Sequence, residues 1–212
     1  MIQIETLEVA GFSPALHAMR NPMDSWAKSD THRGTEARTG AFCMEIGPND
    51  RDLSLRLQKA GPEHCKHLRM IVAYADITAP LYWWKEMDTY RAGVEKLSCS
   101  TMHTITRKPF DVTMFSDDHL TVQCSNVLQM TLDTLNDYRG VYLTEEDPAK
   151  KKLCWWQLIQ LLPASFNQKR TVMLSYAALR SIYRQREGHK LDEWRRFREW
   201  VETLPEAWMI TE

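Results

Sequence analysis

The stretch 80–101, Pro-Leu-Tyr-Trp-Trp-Lys-Glu-Met-Asp-Thr-Tyr-Arg-Ala-Gly-Val-Glu-Lys-Leu-Ser-Cys-Ser-Thr, constrains the fold more than any other part of the chain. Leu81, Trp84 and Met87, then Tyr90 and Arg91, recur at helical spacing, so the first half reads as a helix with a heavily apolar face. Pro80 suits the first turn, where its missing N–H has no partner to lose. Gly93 suits the end, because it enters the left-handed conformation that closes helices. Ser98-Cys99-Ser100 follows as a short polar loop with a thiol between two hydroxyls. Two readings stay open. A helix that delivers an Arg to a small polar loop builds a ligand-binding corner, and the same residues equally describe a core helix followed by a surface loop.

A chain of 212 residues makes one large domain or two small ones and can bury a real core. Lys plus Arg is 27 against 28 for Asp plus Glu, so there is no basic excess to hold a nucleic-acid polymer. Five cysteines (Cys43, Cys65, Cys99, Cys124 and Cys154) are scattered without a C-x-x-C pair. That pattern fits reduced thiols in a cytosol, not a disulfide framework. No signal-peptide pattern and no bilayer-length apolar run is present, so the expectation is a cytoplasmic protein without a membrane partner. Eight Trp and eleven Met call for a large core or a subunit interface. Trp83, Trp84, Trp155 and Trp156 exceed what one small core needs, which predicts a homo-oligomer.

Taken in order, 1–9 nearly alternates through Ile2, Ile4, Leu7 and Val9 and reads as a strand. A short helix follows at 14–19. Residues 20–42 are polar and irregular, the kind of segment that often carries function. A helix is expected at 52–60, ended by Gly61-Pro62, and a strand at 68–78. Residues 102–114 have no clear assignment. Asp117-Asp118 can cap a helix at 119–135, closed by Arg139-Gly140. Further helices are expected at 149–162, stopped by Pro163, at 171–187, and from Leu191-Asp192 onward with Trp194, Phe197 and Val201 on one face. With no repeat and no linker, 1–212 reads as a single α+β domain.

His64 and His67 are three apart and would share a helical face, but a third ligand is missing and Pro62 argues for a turn, so no metal site is expected. Cys99 has Lys96 nearby in sequence, yet no His-containing nucleophile pattern surrounds it, and a free structural thiol is the simpler reading. Arg180 and Arg184 share a helix face. Arg186 lies on the side of Leu179 and Tyr183, where a covered charge needs an acceptor. That acceptor is either a ligand or a glutamate such as Glu187 or Glu193. No glycine-rich phosphate loop occurs.

Residues 79–101 and 159–194 together resemble the flavin-dependent thymidylate synthases, the ThyX family, in a diverged form like those carried by phages. Ala79-Pro80 opens the helix, and Thr89-Tyr90-Arg91 stands where the family has Arg-His-Arg. Val94 and Cys99 take the places of its two Ser residues, and Thr101 that of its final Arg. Leu162-Pro163 matches the family's Leu-Pro, and Ser175-Tyr176-Ala177 stands at its Asn-Ala-Arg. Arg186 falls on the Arg that contacts the pyrimidine ring, and Trp194 near a Gln-Trp-Glu. Gly61-Pro62-Glu63-His64 is similar to the family's Thr-Pro-Phe-Glu-His turn.

The resemblance implies an α+β fold with a mixed sheet packed against long helices, assembled as a homotetramer with shared active sites. It implies FAD as cofactor, NADPH and methylenetetrahydrofolate as co-substrates, and dUMP or a related pyrimidine nucleotide as substrate. Carried over by position, Thr89, Tyr90, Arg91, Ser175, Tyr176 and Ala177 would face flavin. Glu86, Ser98, Cys99, Ser100, Thr101 and Arg186 would face nucleotide, with Arg186 polarising the ring and no Cys attacking it. Thr101 lacks the guanidinium of the family's residue, and Ile159 stands where the family has a second phosphate-binding Arg. Lys96, Lys169 and Arg170 are the candidates to replace them.

Overall fold

The computed structural model describes residues 1–35 and 42–212. Its frame is built from β1 (Gln3–Ala10), a small antiparallel pair of β2 (His32–Thr35) and β3 (Phe42–Glu45), β4 (Val72–Pro80), β5 (Val94–Ser98) and β6 (Asn167–Ser175). β1, β4, β6 and β5 form one sheet in that order. The α+β class holds, but every pairing in the sheet is antiparallel, so it is not mixed in strand direction. Each strand runs opposite to its neighbours, so no two adjacent strands are parallel.

Nine helices surround this frame among the described residues: α1 (Phe12–Ala18), α2 (Pro48–Ala60), α3 (Leu81–Met87), α4 (Thr101–Thr104), α5 (Val122–Thr144), α6 (Pro148–Leu161), α7 (Tyr176–Gln185), α8 (Asp192–Glu202) and α9 (Trp208–Thr211). No helix among the described residues is long and apolar enough to cross a membrane.

The inner face of β4 is small. Ala73, Ala75, Ile77 and Ala79 are wholly buried there. Alanines leave depth for the large rings of α3 and α8, and Trp83 packs 4.8 Å from Trp84 and 4.8 Å from Trp194, centre to centre. Trp83 and Trp84 are 0% and 1% exposed within one chain. They therefore belong to the core, and their abundance says nothing about a subunit interface. A second, smaller core lies under the α5–α6 pair, around Phe110, Phe115, Leu132, Leu135 and Leu158, with Trp155 and Ile159 packed against it.

Several expected boundaries move. Residues 171–187 are not one helix. Val172 and Leu174 alternate into the core while β6 pairs with both β4 and β5, so tertiary pairing overrides the helical reading until Ser175 caps α7 by accepting from the Ala178 N–H. The helix expected at 119–135 runs 23 residues and passes through Gly140. A Cβ at Gly140 would meet nothing within 4 Å, so glycine there costs only helix propensity. α3 stops at Met87, earlier than the spacing of Tyr90 and Arg91 suggests. The segment 20–42 contains two short helical turns and β2, with its remainder, 36–41, outside the described residues.

Candidate functional site

Beyond α3 the chain turns back at 88–93 against the start of α7. Gly93, with φ +71, permits this contact: a Cβ there would lie 2.3 Å from Ser175 Oγ. The Ser175 N–H donates to the Gly93 carbonyl at 2.8 Å. Thr89, Tyr90 and Arg91 are thereby held along the face of α7 that carries Ala177, Arg180 and Arg184, and the walls enclose an open groove of ≈ 990 Å³. Ser175 lines it too, though its hydroxyl is occupied as the cap of α7.

Charge is one-sided in this groove. Arg69, Arg91, Arg180 and Arg184 line it, and none of its lining residues is acidic. Burial, and then the neighbouring Arg184 guanidinium, pull Arg180 below its ordinary range. Its Nε is buried without a hydrogen-bond partner. Nη2 of Arg180 and Nη2 of Arg184 both donate to the main-chain oxygen of Glu212, at 3.3 and 2.6 Å. Four cations with so few acceptors make a site for an anion.

A second corner adjoins the groove through Tyr90. Arg186 follows α7 and is 16% exposed, with its Nε donating to Tyr90 Oη at 2.9 Å and its Nη1 to Glu86 Oε2 at 2.7 Å. Its guanidinium carbon lies 4.4 Å from the centre of the Trp194 ring. Trp194 Nε1 and His189 Nε2 reach the same Glu86 oxygen, at 2.8 and 3.3 Å. The Leu191 N–H donates to His189 Nδ1, which leaves the ring proton on Nε2 facing Glu86. The partner of Arg186 is thus Glu86, not Glu187 or Glu193. Glu193 accepts from Tyr82, and Glu187 pairs with Arg198.

The Ser98–Thr101 corner lies at the end of β5. Cys99 is exposed, its N–H donating to the Lys169 carbonyl at 2.9 Å. Thr101 Oγ1 accepts from Gln168 Nε2 at 3.0 Å. Of the cations expected near it, Lys169 pairs with Asp76 at 2.6 Å, while Lys96 and Arg170 share Asp88. Ile159 packs into the second core.

The fold therefore brings Thr89, Tyr90, Arg91, Ser175 and Ala177 to one groove, with Glu86 and Arg186 beside it. Tyr176 departs from the expectation. It is wholly buried, its Oη bonded to the Pro205 carbonyl and its ring against Phe12, because the first residue of α7 points into the core. Arg69 and His189 were not foreseen. Arg69 sits on a short turn that no periodicity marks, and His189 follows Gly188 in a connection. His64 and His67 do not meet. His67 is buried with Nε2 2.9 Å from Ser54 Oγ, and His64 is exposed beside Glu63. Among the described residues no group of three or more His, Cys, Asp or Glu side chains could hold a metal ion.

Two solved structures of thymidylate synthase X from Helicobacter pylori, each with FAD and dUMP, superimpose on this chain with a TM-score of 0.70. The match covers 100% and 99% of this chain and 98% of each of those, at 17% sequence identity. The chain has the thymidylate synthase X fold. No protein-family model matches it, and no curated protein does. Identity this low establishes the fold alone.

Proposed function

We propose that this chain is a flavin-dependent enzyme that transfers a one-carbon unit from methylenetetrahydrofolate to C5 of dUMP or a related pyrimidine nucleotide, with NADPH as reductant. The observation that carries the reading is the arginine-lined groove that meets the Arg186–Glu86 corner at Tyr90. The residues fit a flavin dinucleotide. The groove is at the upper end of ligand-pocket size, and guanidinium forks match the oxygens of a pyrophosphate. Tyr90 offers a flat face at the junction. A reduced flavin held there supplies a hydride. Arg186 would donate to the ring carbonyl of the nucleotide and stabilise the negative charge that develops as C5 reacts. Glu86, fixed by three donors on one oxygen, holds Arg186 in place and keeps its other oxygen as an acceptor.

The functional unit in this proposal is a homotetramer. Val127, Met130 and Val141 recur along α5 at 62%, 69% and 48% exposure, an apolar stripe that another copy would cover. Light scattering at micromolar concentration should give a mass of four chains, and a monomer would remove the shared site.

Incubation of the purified protein with FAD, NADPH, methylenetetrahydrofolate and dUMP, read by mass spectrometry, tests the reaction. A nucleotide heavier by one CH2 unit, its C5 hydrogen replaced by a methyl group, is the expected product. A second reading is a flavin- or nucleotide-binding homologue that has lost the reaction. It is favoured by Ile159, which fills an arginine position of the related family with a core side chain. Tight flavin binding without any product would select it.

A further inference from the structure

The core-facing side of β5 and β6 changes character along its length. Val94 opposes Leu174, Lys96 opposes Val172, and Ser98 opposes Arg170. The apolar face thus ends in two cations at the sheet edge, Lys96 and Arg170, only 16% and 14% exposed. Arg170 lies over Trp84, its guanidinium carbon 4.2 Å from the ring centre. Both cations converge on a single oxygen, Asp88 Oδ1, at 3.2 and 2.8 Å. Among the described residues no other carboxylate pairs with either one. Two cations against one carboxylate leave a net positive charge in a half-buried place, which is unfavourable without a further anion.

The surroundings supply what an anion needs. Lys96 Nζ also donates to the Met87 and Tyr90 carbonyls, at 3.0 and 3.2 Å, so it contributes charge and has no proton to spare. Arg170 uses Nε on Gln168 Oε1 and Nη1 on Asp88, which leaves N–H groups over. Gln168 in turn holds the Cys99 carbonyl at 3.1 Å and Thr101 Oγ1 at 3.0 Å. Arg170 is therefore fixed relative to the Ser98–Thr101 corner. The hydroxyls of Ser98 and Ser100 make no hydrogen bond within the chain among the described residues. Asp88, at 46% exposure, stands at the end of α3 where it can swing into water.

We infer that Arg170, backed by Lys96 and flanked by Ser98 and Ser100, is a binding site for a phosphate monoester, with Asp88 as the carboxylate the phosphate displaces. This inference rests on the nucleotide reading above and names the group that binds the nucleotide's phosphate.

Binding of dUMP and of deoxyuridine, measured side by side on the full chain, tests it. The wild type should prefer dUMP by about 100-fold, and Arg170→Met should cut that preference below about 10-fold, since charged bidentate contacts to phosphate are the strong ones. Asp88→Asn should raise dUMP affinity several-fold and leave deoxyuridine unchanged, which loss of a merely structural ion pair would not do. An unaltered preference in Arg170→Met overturns the site and leaves the nucleotide reading standing. If the wild type binds neither ligand, the nucleotide reading falls, and inorganic phosphate decides the site. Phosphate that raises the Tm of the wild type and of Asp88→Asn, but not of Arg170→Met, supports it, and phosphate without that pattern overturns it.

Discussion

Arg20 and Arg186 each face a carboxylate, but the two pairs are built for different purposes. Arg20 is 4% and Asp50 0% exposed, with Arg20 Nε 2.6 Å from Asp50 Oδ1. The other Asp50 oxygen accepts from Ser29 at 2.6 Å and Thr31 at 2.5 Å. Burial pushes the Asp50 carboxyl up, but the hydrogen bonds from Ser29, Thr31 and Arg20 outweigh it and hold it below the ordinary range. Every strong position on that carboxylate is filled from within the chain. The pair ties the segment after α1 to α2 and leaves neither carboxylate oxygen open to a ligand. Arg186 and Glu86 are 16% and 34% exposed, and all three donors on Glu86 use one oxygen. That pair keeps a free acceptor and free N–H groups on an open face. A carboxylate filled on both oxygens is scaffold, and one with an oxygen open can exchange partners with a ligand.

The largest expected effect tests the scaffold half. Asp50→Ala would strand a buried Arg20, and removing one partner of a buried ion pair typically costs about 3–5 kcal/mol. Denaturant unfolding should show a loss of that size. A loss under about 1 kcal/mol would mean that Arg20 finds water or another acceptor, and the contrast with Arg186 would collapse.

Next in size is a pH effect at the buried His67 beside Ser54. Burial holds the His67 imidazole at about 4, against 6.5 when unfolded. The unfolded chain therefore binds a proton first as pH falls. Stability should be full above pH 6.5 and decline towards pH 4, by about 3 kcal/mol if this residue acts alone. Unfolding free energy measured across that window on wild type and on His67→Gln checks it, and the variant should show a flatter profile.

Arg186→Lys should invert the pattern of Asp50→Ala. Nucleotide affinity should fall about 10–100-fold, because an ammonium cannot match a planar edge, while unfolding free energy shifts by less than about 1 kcal/mol. A large drop in stability with normal binding by the folded fraction would make Arg186 a scaffold residue like Arg20. The smallest effect belongs to Cys99→Ser. The thiol is exposed and its Sγ lies 3.9 Å from Thr104 Oγ1, its one side-chain partner among the described residues. Turnover should stay within about 3-fold, since a free exposed thiol replaced by a hydroxyl removes no strong interaction. Abolished turnover with intact nucleotide binding would point to thiol attack on the ring.

Much of this was legible in the sequence, for identifiable reasons. The helix after Ala79-Pro80 and the apolar face of Trp194, Phe197 and Val201 are local patterns, and local patterns fix local structure. β6 was hidden because Thr171 to Ser175 runs directly into α7, and only its two neighbouring strands make it a strand. β5 was hidden because five residues ending in Ser98 look like a polar loop until they pair with β6. Thr89, Tyr90, Arg91, Ser175 and Ala177 meet in one groove because the turn and the helix start are locked by Gly93 and Ser175. Tyr176 failed because position in a motif does not reveal which way a side chain points. The partnership of Arg186 with Glu86 spans 100 residues, and no spacing rule reaches that far.

The most direct test of the central claim is the dissociation constant of FAD, followed by flavin fluorescence on the wild type, an Arg180→Ala/Arg184→Ala double variant and Arg186→Lys. The wild type should bind FAD, and the double variant at least about 10-fold more weakly, as expected for two lost charge-assisted contacts to phosphate. Arg186→Lys should bind within about 3-fold of wild type, because its corner is assigned to the nucleotide. Absence of FAD binding by the wild type, or equal binding by the double variant, would contradict the assignment of the groove.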